Sequence, residues 1–134
     1  MSTEVINLVG EDLIKEINRL IRLYKRRMRL MTWIINVELN DDPNWENMAT
    51  IQAVEGRDEA IMTIAARQDW TKDTLRRTVV HELVHLVLND ILMLAGDWGE
   101  NLKPKDRRLY DKQFDREIEE ATNHIAEVIC DLRK

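Results

Sequence analysis

An α+β domain is the fold class this sequence predicts, on three observations. Of three long helix-like segments, the first and last carry apolar residues at threes and fours, as amphipathic helices require, and the middle one is apolar around most of its circumference. Between the first and second of these, the period changes to two, as in strands. Short polar turns join the strand-like stretches. The order that results is helix, three strands, helix, loop, helix.

The first helix is expected over residues 11 to 31, where Leu13, Ile14, Ile17, Leu20, Ile21, Tyr24, Met28 and Met31 form the apolar stripe. Trp33, Ile35, Val37 and Leu39 then alternate with Ile34, Asn36, Glu38 and Asn40, which is a strand. Asn40-Asp41-Asp42-Pro43-Asn44 is a turn. Met48 to Val54 is a second strand, Glu55-Gly56-Arg57-Asp58 a second turn, and Ala60 to Ala65 a third strand, with Ile61 and Ile64 its most apolar members. The short connections predict a mostly antiparallel three-stranded meander.

Thr71 is the expected N-cap of a second helix that ends near Ala95, with Gly96 as its terminator. Val79 to Leu94 is apolar around most of the circumference, so this helix is expected to be buried. Asp97 to Asn101 is expected to be a loop, and the last helix starts near Pro104 or Asp106. Its stripe is Phe114, Ile118, Ala121, Ile125, Val128 or Ile129, and Leu132.

Composition narrows the class of partner. The chain of 134 residues has the length of one domain, and residues 1–134 are read as one unit. Apolar residues make up 44% and charged residues 34%, a globular balance. With 20 basic and 25 acidic residues the net charge is −5, which argues against a dedicated nucleic-acid binder. The basic run Lys25-Arg26-Arg27-Met28-Arg29 falls on a helix and reads as a solvated face. One cysteine, Cys130, excludes an internal disulfide and suits a reducing cytoplasm. The start, Met1-Ser2-Thr3-Glu4, has no basic segment leading into an apolar one, and no apolar stretch is long enough for a membrane span. A cytoplasmic location is the expectation.

The second helix contains His81-Glu82-Leu83-Val84-His85, an HExxH pattern. Residues four apart on a helix differ by about 40° in direction and about 6 Å in rise, so two imidazoles can converge on one ion. Zinc suits such ligands, and a catalytic zinc site keeps one position open for water, whose pKa falls to about 7. Glu82, beside the ligands without being one, is placed to act as general base. A lone histidine on an apolar helix is usually a satisfied core residue. Two histidines and a glutamate buried there without partners would cost several kcal/mol, and a metal removes that cost.

A third ligand must come from elsewhere. The last helix offers Glu117, Glu119, Glu120, His124 and Glu127. With Ile118, Ala121 and Ile125 turned inward, Glu119 and Thr122 flank the stripe. Here the segment Glu119-Glu120-Ala121-Thr122-Asn123-His124-Ile125-Ala126 resembles the third-ligand helix of the gluzincin metallopeptidases. That clan includes short bacterial and phage proteins. Its pattern is Glu-x-x-x-Asp followed by small apolar residues, and Asn123 stands where Asp is common. The resemblance implies a minimal zincin-like domain with His81, His85 and Glu119 as zinc ligands and Glu82 as base. Glu120 is the alternative ligand, and Asn123 the partner of a ligand histidine. It implies one zinc ion and hydrolysis of a peptide or protein substrate. The substrate would dock by strand addition on an exposed edge, either Met48–Val54 or Ala60–Ala65. Tyr110, Arg116 and His124 are the candidates for stabilising the oxyanion.

Two other readings compete with a peptidase. One is a metal-stabilised binding module on the same scaffold, without useful turnover. The other is a di-iron helix bundle, since Glu82 and His85 also form an ExxH pair. Such bundles need a second ExxH, and Glu120 to His124 is one residue too long.

Overall fold

The computed structural model describes residues 4–67 and 69–131. The opening Met1-Ser2-Thr3 and Leu132 of the expected stripe lie outside the described residues. The elements are α1 (Gly10–Arg27), β1 (Ile34–Asn40), β2 (Ala49–Ala53), β3 (Glu59–Ala65), α2 (Lys72–Val87), α3 (Asn89–Gly99) and α4 (Pro104–Asp131). This is an α+β fold, and its sheet leaves no room for the helix-bundle reading.

Helix α1 buries Leu13, Ile17, Leu20, Ile21 and Tyr24, as its periodicity requires. It stops at Arg27, short of the expected end. The chain reverses through Arg29, whose φ is 58°. Met31 is therefore not on the helical stripe and is 61% exposed. The basic run occupies the last turn and the reversal, largely in solvent.

The three strands lie where their alternation puts them, but they do not form a meander. The sheet order is β1-β3-β2, with β1 parallel and β2 antiparallel to β3. Only the turn at Glu55–Asp58 closes a hairpin, helped by Gly56 at a φ of 77°. The segment after β1 leads away from it, and β3 enters between the two earlier strands. Val37 and Ile51 thus both pair with Met62, one from each side. Ala60, Met62 and Ile64 of β3 are fully buried, as a central strand demands. Ile61 lies on the other face and is only half-buried. Of the two expected edges, β2 is one, and β3 is the centre of the sheet.

Helix α2 begins at the expected cap. Thr71 Oγ1 accepts from the Thr74 N–H at 3.0 Å, and the Thr71 N–H donates to Thr74 Oγ1 at 3.0 Å. Thr71→Ala should lower stability by about 1 kcal/mol, seen as a lower denaturant midpoint at unchanged slope; an unchanged midpoint would show that the cap contributes nothing.

The expected single helix from Thr71 to Ala95 is two helices. They meet at Leu88 and are bent by 56°. The α2 half is buried through Leu75, Val79, Val80, Leu83, Val84 and Leu86. The α3 half is not: Ile91, Leu94 and Trp98 are each more than half exposed. It is held instead along Ala95 and Gly99 by α4, where Tyr110 Oη donates to the Ala95 carbonyl at 3.1 Å. A Cβ on Gly99 would lie 3.2 Å from the Tyr110 ring, so a larger residue there would have to push the ring back by a few tenths of an ångström. Gly96, the expected terminator, is inside α3, and the expected loop from Asp97 is helical as far as Gly99. No single helix among the described residues is long and apolar enough to cross a membrane.

Helix α4 starts at Pro104, a first-turn position where the missing N–H has no role. Its buried stripe is turned by one residue from the expected one. Thr122, Ala126 and Cys130 are buried, while Ala121 and Val128 are exposed. Ile118, Ile125 and Ile129 are half-buried. The Thr122 hydroxyl donates to the Ile118 carbonyl at 2.7 Å, so its burial leaves no polar group unmet.

Candidate metal centre

The rotation of α4 brings Glu119 to the metal-motif face of α2. His81 and His85 leave α2 one turn apart, and their Nε2 atoms come within 3.2 Å. The rings meet edge to face, with an interplanar angle of 74°. Glu119 Oε1 lies 2.9 Å from His85 Nε2, and its Oε2 lies 3.5 Å from His81 Nε2. Ligands held at about 2.0–2.1 Å in a tetrahedron stand roughly 3.3 Å from one another. The three separations, two of them to different Glu119 oxygens, lie on both sides of that value. The group can hold a metal ion, with one ligand atom from each residue. Its donor set, two imidazole nitrogens and one carboxylate oxygen, suits a divalent transition metal.

Glu82 is placed differently. Its carboxylate is buried beside the group, with Oε2 3.8 Å from His81 Nε2. Among the described residues no lysine or arginine pairs with it. Burial, with the Glu119 carboxylate adding to it, pushes the Glu82 carboxyl up to about 8. Burial also lowers the pKa of His81, and His85 lowers it further, against the Glu119 carboxylate and the Asn123 side-chain oxygen, which favour the protonated ring. His81 therefore favours the neutral form, which is the metal-binding one.

Two clefts meet at this point. One, of about 490 Å³, is lined by Met48 and Ala49 at the β2 edge, by Arg77, Thr78, His81 and Glu82 of α2, and by Asn123 of α4. The other, of about 420 Å³, runs past His85 between Ile51 and Ala53 of β2 and Leu86, Asn89 and Leu92 of the helices. Both include Ala49, His81 and Glu82, so the edge strand passes along the group on either side.

The remaining candidates lie outside the group. Glu120 and His124 are exposed and outside the group. Glu127 lines the first cleft. Tyr110 is engaged with Ala95, and exposed Arg116 lies 3.8 Å from Glu117. None of the three oxyanion candidates lines either cleft. Sequence reasoning passed over Arg77, which stands four residues before His81 and so on the same helical face. That spacing was the available signal.

Comparison of the chain with protein-family models, with curated proteins and with solved structures finds no match.

Proposed function

We propose that the protein is a zinc metallopeptidase of the gluzincin type, acting on peptide or protein substrates in a reducing cytoplasm. One observation carries the reading: a two-histidine, one-carboxylate group from two helices converges beside a buried carboxylate that is not part of it. A zinc ion there would supply Lewis acidity to the scissile carbonyl and acidify the attacking water. His81, His85 and Glu119 would hold it. Glu82 takes the proton from the attacking water and returns it to the leaving amine. Asn123, which lines the first cleft with His81, would orient that ring by accepting a hydrogen bond from it. The β2 edge offers unpaired backbone groups to an extended peptide.

The competing binding-module reading would be supported by a fourth protein ligand closing the site. Among the described residues the group has three, which supports turnover.

The test is metal content together with hydrolysis. The purified protein should hold one zinc per chain and cleave unstructured peptides, losing activity to a chelator and regaining it with zinc. Asn123→Ala should weaken metal affinity or activity by about 10–100-fold, measured by competition with a chromogenic chelator. Absence of stoichiometric metal at pH 7 would end the proposal.

A further inference from the structure

The larger cleft continues past His81 towards the start of α2, where Arg77 forms part of its wall. Arg77 and His81 leave one face of the helix about 6 Å apart along its axis. Among the described residues that line the two clefts, Arg77 is the one permanent cation. Its surroundings are of two kinds. Asp73, with only 11% of its side chain exposed, accepts from Arg77 Nε at 3.1 Å and also from Arg76 Nη2 at 2.9 Å, so it is a fixed partner. Asp131, at the far end of α4, accepts from Arg77 Nη2 at 3.3 Å and is 71% exposed. An exposed pair of that kind contributes little and exchanges readily. A guanidinium carries five N–H donors in a planar fork that matches a carboxylate, and these two contacts use two of them.

We propose that Arg77 is a specificity residue: it binds a carboxylate of the peptide on the His81 side of the scissile bond, taking it in place of Asp131. The inference rests on the metallopeptidase reading for its substrate class. An extended peptide rises about 3.3 Å per residue, so the carboxylate lies about two residues from the bond that is cut. It can be an acidic side chain or the C-terminal carboxylate, which present the same group to the fork. Glu127 in the same lining disfavours a second acid beside the first.

Binding can be measured apart from turnover by fluorescence polarisation on zinc-loaded Glu82→Gln protein. The probes are four peptide libraries of equal length, bearing either Glu or Gln at the randomised flanks and ending in either a free acid or an amide. Glu against Gln in the amidated pair reads the side chain; free acid against amide in the Gln pair reads the terminus. One of these differences should be tenfold or more. Arg77→Gln should erase it at unchanged circular dichroism, Arg77→Lys should keep part of it, and Asp131→Asn should enlarge it severalfold. The last variant leaves Arg77 and Asp73 in place, so it tests the exchange even if Arg77→Gln folds poorly. Equal binding of all four libraries, no binding of any, or a preference that survives Arg77→Gln overturns the proposal. A preference that follows Arg77 in a parent protein that cleaves nothing upholds the carboxylate site and sinks the peptidase reading. Cleavage by the parent, with no preference in the binding assay, does the reverse.

Discussion

Glu82→Gln should reduce peptide hydrolysis by about 10²–10⁴-fold while one metal remains bound per chain. The amide keeps the shape of the carboxylate and cannot take a proton at neutral pH. It should leave the metal in place because Glu82 lies outside the group formed by His81, His85 and Glu119. Replacing His81 with alanine should remove metal and activity together. The contrast between the two variants separates the base from the ligands. Metal analysis and peptide cleavage on the same samples would settle it, and a Glu82→Gln enzyme within tenfold of the parent would rule Glu82 out as the base.

The second large effect concerns the same residue without catalysis. In the presence of a chelator, the protein should lose stability as pH rises between about 4.5 and about 8, because burial raises the Glu82 carboxyl from 4.5 to about 8. Across that window the folded chain keeps a proton that the unfolded chain has released. The unfolded state then binds fewer protons, so unfolding becomes easier as pH rises. The stabilisation is fully present below the unfolded value and lost as pH passes the folded one. Its size is on the order of a few kcal/mol. Glu82→Gln should abolish this slope and make the metal-free variant the more stable of the two at pH 8. Saturating zinc should flatten the slope in the parent, since a nearby cation favours the ionised carboxylate. Urea midpoints at pH 5 and pH 8, with chelator, would check this; parallel behaviour of parent and variant would refute it.

The parts of the fold that could be read from residue order are those set by local chemistry. The Thr71 cap, the two-residue period of β1 and the spacing of His81 and His85 each depend on neighbours a few positions away. Strand pairing does not. The Glu55–Asp58 turn specifies its own hairpin, while nothing near Asn40 states that β1 will lie parallel to β3. The break at Leu88 carries neither glycine nor proline, and its one local mark is the polar pair Asn89-Asp90, which interrupts the apolar run directly after it. At the candidate site, the histidines follow from spacing alone. That Glu119 and not Glu120 stands beside them follows from the rotation of α4, and that rotation buries a threonine, Thr122, where hydropathy favoured Ala121. The expectation of Glu119 rests on a resemblance alone, and the rotation that brings Glu119 beside the histidines is not legible in it.

The bend at Leu88 also has an electrostatic consequence. Because α2 stops at Val87, His85 stands in its last turn. The carbonyls that end a helix without intrahelical partners carry about half a negative charge between them. α3 begins at Asn89, one residue beyond, so its positive N-terminal pole meets that negative pole at the bend and the two largely cancel. The Leu88 N–H also bonds back to the Val84 and Leu86 carbonyls, which leaves fewer of them without a partner. The kink therefore leaves the attraction for a cation to the Glu119 carboxylate and takes little of it from the backbone.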